Sequence, residues 1–297
     1  MNKKTHTVVC GFAHSVAIAS NNTIYCWGDN SVNQCNPLHR TLTDVIQVVC
    51  GYFYSVALLT DGTVRCWGDN RFNQCDPVHI TFTDVLQVAC GAGHSVALFS
   101  NGTVKCWGDN TCNQCDLVHT TFTDVIQVVC GNYHSVALLS NGTIRCWGVN
   151  TYNQCDPVHI TFTDVLQVAC GSYHSVALLS NGTIRCWGNN HVHQCVPLHS
   201  TLTNVIQVVC GAYHSVALLS NGTVQCWGDN HYNQCNPVDL TFTDDVIQVA
   251  CGRAHTVALL SNGNVRCWGG SNDENQCDPI FHTFTDVMMP SCNIMLW

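Results

Sequence analysis

Cys130-Gly131-Asn132-Tyr133-His134-Ser135-Val136-Ala137 returns forty positions later as Cys170-Gly171-Ser172-Tyr173-His174-Ser175-Val176-Ala177. Outward from this pair, the same Cys-Gly step falls at Cys10, Cys50, Cys90 and Cys210, and an inserted residue near Asp244-Asp245 moves the seventh to Cys251. A fixed period of this length means a repeat architecture, in which each unit buries its apolar face only against its neighbours. Seven equal units leave no internal boundary. Residues 1–297 therefore read as one closed domain, with repeats over 5–282 and a closing segment at 283–297.

Residues 125–164 show the unit. Val125-Ile126-Gln127-Val128-Val129-Cys130 is rich in β-branched residues and reads as a strand. A loop follows, then a second strand from Ser135 to Leu139. Asn141-Gly142 marks a hairpin, expected as a type I′ turn. The third strand runs from Thr143 to Trp147, and after a second loop a fourth starts at Gln154-Cys155, with Pro157 confining its outer end to an edge. Four short antiparallel strands, repeated seven times, predict an all-β fold: a seven-bladed β-propeller with about 40 residues per blade.

The run Cys-Gly-x-x-His-Ser-Val-Ala-Leu, the Asn-Gly-Thr turn and Trp-Gly-Asp-Asn-x-x-Asn-Gln together resemble the RCC1 repeat. The compact spacing, with Gln-Cys-Asp-Pro-Val after the loop, is similar to blades of the β-lactamase inhibitor protein II type. This resemblance covers 5–282 and implies a seven-bladed propeller that acts as a protein-binding platform. The usual Gly-Gln-Leu-Gly is replaced here, as in Asn153-Gln154-Cys155. Nothing matches the inserted wedge or the long basic tail of the nucleotide-exchange branch, which points away from GTPase exchange and chromatin binding. Cysteine-rich repeats of this kind are also similar to RCC1-like proteins of large DNA viruses and their protist hosts.

Composition narrows the function further. Only 10% of residues are charged and the net charge is -9. The scattered lysines and arginines give no basic patch for nucleic acid. No stretch of apolar residues is long enough to span a membrane. Met1-Asn2-Lys3-Lys4-Thr5-His6 has no apolar signal region, so a cytoplasmic, reducing setting is expected. No nucleophile–base pair, phosphate loop or carboxylate pair stands outside the repeat consensus. Val149 and Asn189 replace the aspartate of Trp-Gly-Asp-Asn, so that acid reads as structural. An enzyme is not expected, nor is a cofactor.

Each repeat holds three cysteines, and Cys112 and Cys292 complete the twenty-three. The only Cys-x-x-Cys is Cys112–Cys115, with no second pair to complete a metal site, so no metal is expected. A symmetric loop at 148–153 would set Cys146 opposite Cys155. Facing residues on antiparallel strands lie about 4.5–5.5 Å apart, within disulfide reach. The same arithmetic pairs Cys26–Cys35, Cys66–Cys75, Cys106–Cys115, Cys186–Cys195 and Cys226–Cys235, while Cys267–Cys277 has an extra loop residue and fits less well. The alternative is that all are small buried thiols. The Cys10 series is expected to stay free.

His14, His94, His134, His174, His214 and His255 recur at one loop position, with Tyr54 as the exception. Each imidazole is expected to hold its own loop by backbone hydrogen bonds. Asn101-Gly102-Thr103 and its copies match the glycosylation sequon, but the turn explains them, and without a secretory route they are expected to stay bare. Thr285-Asp286-Val287-Met288-Met289-Pro290-Ser291-Cys292 begins like an eighth first strand, with Pro290 where valine is usual. Residues 288–297 are therefore expected to act as a latch near the first and last blades.

The variable positions follow each Cys-Gly and each Trp-Gly-x-Asn, in loops that emerge on one end. Tyrosine and arginine are enriched at binding hot spots. The expected partner surface centres on Tyr52, Phe53, Tyr54, Arg71 and Phe72 and spreads to Tyr133, Tyr152, Tyr173, Tyr213 and Tyr232. The leading expectation is a non-enzymatic platform for a protein partner, monomeric or weakly self-associating. A disulfide-stapled structural or virion component is the first alternative, and a small-GTPase regulator the second.

Overall fold

The structure is a computed structural model that describes residues 7–19, 23–36, 42, 44–76, 84–116, 123–156, 164–196, 202–236, 245–270 and 275–277. Seven antiparallel sheets follow one another, each with three strands in chain order. In blade four the strands are Val125–Cys130, His134–Leu139 and Ile144–Gly148. Cys130 faces Ser135, Val136 faces Cys146, and a bulge interrupts the ladder between Val125 and Gln127. The first strands of successive blades lie against one another and so surround the axis.

Each blade packs on the next through its own apolar cluster. Val136, Leu138 and Ile144 of blade four meet Val165, Val168, Ala177 and Trp187 of blade five. The last junction closes the circle: Val257, Leu259 and Val265 meet Val8, Ala17 and Trp27. The fold is the seven-bladed β-propeller that the period implies.

Two local expectations are corrected. Among the described residues there is no fourth strand; the chain at Gln154-Cys155 turns instead. Asn153 sits at φ 60, and the Asn150 side chain accepts from the Cys155 amide at 2.8 Å, so the donor that would enter a ladder is used inside the loop. The hairpin is also not type I′. Only Gly142 has positive φ, Gly142 N–H donates to Leu139 at 2.9 Å, and Leu139 N–H donates to Thr143 at 2.9 Å. Three residues separate the paired ends, which makes a type I turn followed by a left-handed glycine bulge. The latch at 288–297 lies outside the described residues.

Three sets of side chains link the blades. On the axial strands, Gln127 Nε2 donates to Val168 O at 3.3 Å and its Oε1 accepts from Val168 N at 2.9 Å. Gln47, Gln87, Gln167 and Gln207 do the same, and Gln248 clamps Val8 across the closing junction. Blade one has Thr7 at the corresponding place, and its Oγ1 is buried with no hydrogen-bond partner.

The histidines form the second set. His134 Nε2 lies 3.1 Å from Ser175 Oγ in the next blade, and Ser175 Oγ in turn donates to Gln154 O at 3.2 Å. The serine proton is committed to that carbonyl, so the imidazole donates from Nε2. The series runs around the ring to His255 and Ser15, 3.1 Å apart. Each imidazole therefore links two blades rather than holding its own loop. Burial disfavours the imidazolium and lowers these pKa values, to about 4 for His14 and His94 and about 3 for His134, His174, His214 and His255. The ring edge rests where a glycine side chain would be: a Cβ at Gly131 would meet His134 Cε1 at 2.1 Å.

The third set converges on the same carbonyl. Trp187 Nε1 donates to Gln154 O at 2.8 Å, and Trp27 reaches Gln276 O at 3.0 Å across the closing junction. One buried carbonyl thus takes a tryptophan and a serine from the following blade. Trp67, Trp107, Trp227 and Trp268 donate in the same way, which explains the spacing of Trp-Gly and Gln in those repeats.

Candidate docking face

The two variable loops of a blade meet at one end of the ring. Val149 N–H donates to Tyr133 O at 2.8 Å, and Asp109 N–H to Gly93 O at 2.8 Å. The loop after each tryptophan is built by its own polar residues. Asp109 Oδ1 accepts from Thr111 N at 2.9 Å, and Gln114 Oε1 accepts from Cys112 N at 2.8 Å. Such Asx-type bonds stand in for backbone pairing. They account for the repeated Asp-Asn and Gln without invoking chemistry.

The residues after Cys-Gly join around the axis. Phe12 N–H donates to Tyr52 O at 3.3 Å, Ala212 to Arg253 at 3.1 Å, and Arg253 to Phe12 at 3.2 Å. Phe12 packs on Tyr52 and Phe53 with ring centres 4.6 and 5.3 Å apart, and the Arg253 guanidinium lies 4.6 Å over Phe12. The Tyr52 hydroxyl accepts from Asn132, two blades away, and Asn132 Nδ2 also reaches Ser172 Oγ at 2.7 Å. Burial pushes the Tyr52 phenol up to about 12. Tyr52 and Phe53 are thus largely engaged in holding the axial end together.

Tyr54 corrects the expectation outright. It is fully buried, its hydroxyl donates to His94 O at 2.5 Å, and it accepts from Ser95 Oγ at 3.1 Å. It occupies the histidine position of blade two and has no surface to offer a partner. Arg71 is exposed but pairs with Asp69 at 3.0 Å. Partial burial alone would raise the Asp69 carboxyl, yet the guanidinium outweighs it and holds the pKa below the usual range.

The exposed aromatics of the proposed surface are Phe72 (46%), Tyr152 (39%), Tyr213 (37%) and Tyr232 (50%). Phe72 leans on the next blade, so that a Cβ at Gly93 would meet its Cδ2 at 3.0 Å. The others belong to a longer band. Tyr133 and Tyr173 are 6.0 Å apart, Tyr152 and Tyr173 5.4 Å, and Tyr152 meets His191 edge-on at 5.8 Å. The band leads into a cleft between blades five and six, lined by His191, Val192, Tyr213, Asp229 and His231. His231 is hydrogen-bonded to Asp229. The two histidines belong to the variable loop positions but not to the expected partner surface; they stand where Ser31, Thr111 and Thr151 stand in other blades.

The same loops carry the cystines. Disulfides join Cys26–Cys35, Cys66–Cys75, Cys106–Cys115, Cys146–Cys155 and Cys267–Cys277, with Cα–Cα distances of 5.0, 5.1, 5.0, 5.0 and 4.9 Å. The extra residue before Cys277 does not prevent closure. Cys186, Cys195, Cys226 and Cys235 are thiols, and burial, with Cys195 beside it, pushes the Cys186 pKa up. Cys10, Cys90 and Cys170 are free, and burial pushes them to about 12. Cys112 is free as well. Among the described residues, no three His, Cys, Asp or Glu side chains cluster as a metal site.

A closed ring of interlinked blades, with its variation gathered in the loops of one end, defines a β-propeller of the repeat class. The Regulator of chromosome condensation (RCC1) repeat family matches residues 6–34, 45–74, 85–114, 125–154, 165–194, 205–234 and 246–276, and the chain belongs to that family. No curated protein matches it by sequence. Among solved structures it is similar to the ectodomain of the receptor kinase CR4 from Physcomitrella patens, at 18% identity and TM-score 0.72, over 90% of this chain and 73% of that one. It is similar to Prp20p from Saccharomyces cerevisiae at 21% identity and TM-score 0.70, over 85% and 81%. The ectodomain of the Arabidopsis thaliana receptor kinase ACR4 matches at 21% identity and TM-score 0.70, over 88% and 94%. These likenesses establish the fold.

Proposed function

We propose that this protein is a non-enzymatic platform that docks a protein partner on its loop face. The contact runs along Tyr133, Tyr173 and Tyr152 into the cleft at Tyr213 and on to Tyr232. One observation carries the reading: residues identical in every blade are spent on links between blades, whereas exposed aromatics gather where the blades differ. Large amphipathic rings held by rigid elements suit hot spots. One similar propeller supports the reading: Prp20p, the yeast RCC1, has been studied for its binding to Gsp1p and histones and is seen bound to Kap60. The test is affinity capture with the wild-type chain and with a Tyr152→Ser, Tyr213→Ser, Tyr232→Ser variant, compared by quantitative mass spectrometry. A partner held by the wild type and lost by an equally stable variant supports the reading; equal capture by both overturns it.

A second reading is favoured by the cystines. Disulfides persist in oxidising surroundings, and five close the loops here. They support an extracellular or particle-borne structural role. Alkylation of the natively purified, unfolded chain without reductant distinguishes the settings: modification of all twenty-three cysteines would exclude the second reading.

A further inference from the structure

We infer that the hairpin tips at Asn101, Asn141, Asn181 and Asn221 are acceptor sites for N-linked glycans. Each asparagine begins Asn-Gly-Thr, and each is exposed. A folded chain retains a glycan only where the side chain faces solvent, and these four satisfy that condition together. The carboxamide oxygen is used by the turn: Thr103 N, Thr143 N, Thr183 N and Thr223 N donate to it at 3.0, 2.9, 3.0 and 3.0 Å. In two tips the threonine hydroxyl adds a bond to the same oxygen, at 2.6 Å for Thr103 and 2.7 Å for Thr183. The hydroxyl that defines the motif is therefore already turned toward the acceptor amide.

The turn itself does not require this motif. Blade two makes the same turn with Asp61, whose Oδ1 accepts from Thr63 N at 2.8 Å, and blade seven makes it with Asn262 and Asn264, again at 2.8 Å. An Asx residue followed by glycine is enough for the backbone. The asparagine–threonine combination on four consecutive blades exceeds what the fold needs.

A second observation is independent of the tips. Five loop cystines are what an oxidising route produces, and glycan transfer takes place on that route. The middle strand of each blade leaves the loop face and ends at the hairpin, six residues or about 20 Å away. Glycans on blades three to six would cover the end opposite the aromatic band and leave that band clear.

In the transfer, the Asn Nδ2 attacks the anomeric carbon of a lipid-linked oligosaccharide. The carbon–oxygen bond to the lipid pyrophosphate breaks, the pyrophosphate leaves, and one amide proton is lost to base. The chain supplies the acceptor only.

The experiment is the intact mass of natively purified protein before and after peptide N-glycosidase, with peptide mapping. The expected result is a loss of mass on treatment, with Asn101, Asn141, Asn181 and Asn221 converted to aspartate and Asn262 unchanged. Thr103→Val should remove one glycan while keeping the asparagine, and Asn264→Thr should add one in blade seven. An unchanged mass, with all four asparagines intact, would overturn the inference and leave the docking proposal standing.

Discussion

Tyr52 and Tyr54 are two residues apart and belong to different regions. Tyr54 lies in the interior, where nearly every blade presents the same groups to the next: a glutamine clamp, an imidazole and a carbonyl that accepts from the following blade. Even the exception obeys the rule, because the Tyr54 hydroxyl meets Ser95 at 3.1 Å where a histidine would do so. Tyr52 lies at the loop end, where no two neighbouring blades are alike and contacts cross the axis to Asn132. The difference teaches how one short unit can fix a fold and still carry individuality. Links between blades use backbone-like geometry and vary little, while the loops, held by their own Asx bonds, leave their tips free to change.

That contrast is broken most severely by a methyl group. Gly131→Ala would drive a Cβ into the His134 ring and toward Gly171 O at 2.4 Å. It should destabilise the chain by about 3 kcal/mol or more, read by urea unfolding. The same ring makes stability depend on pH. The folded histidines titrate at about 3 to 4 but near 6.5 when unfolded, so between those values the unfolded chain binds more protons. Stability from this ring should be flat near pH 7 and fall as pH drops from 6.5 toward 4, by about 1.4 kcal/mol per unit for each histidine. A melting temperature unchanged from pH 7 to pH 5 would refute the buried neutral ring.

Smaller changes sharpen the comparison. Trp187→Phe keeps the packing and removes one donor to Gln154 O, for a loss of about 1 kcal/mol. Thr7→Gln should restore the missing clamp to Val48 and raise stability by up to about 1 kcal/mol, seen as a higher denaturation midpoint. Tyr232→Ala, at the loop face, should alter stability by less than about 0.5 kcal/mol while weakening partner capture. A large stability loss there would move Tyr232 into the interior class.

Much of this was legible in the chain. The period fixes the number of blades, and strict repetition marks the residues that join them. The role of Tyr54 could have been read from its place in the histidine series, a signal that its aromatic character concealed. The turn at Gln154-Cys155 and the three-residue hairpin were not legible, because each depends on how many residues the ladder leaves unpaired. The engagement of Tyr52 with Phe12 and Asn132 was not legible either. Blades one, two and four meet at the axis only after the ring has closed, and no periodicity within one repeat encodes that meeting.

The clamp from Gln248 to Val8 joins residues 240 positions apart. It cannot form until the first strand of the seventh blade has left the ribosome. Until then the first blade must keep its apolar face without its final neighbour, although closure of so long a loop adds only logarithmically to the entropic barrier. The ring therefore closes in a single late event, in which the seventh blade captures the first and seals an open, aggregation-prone arc.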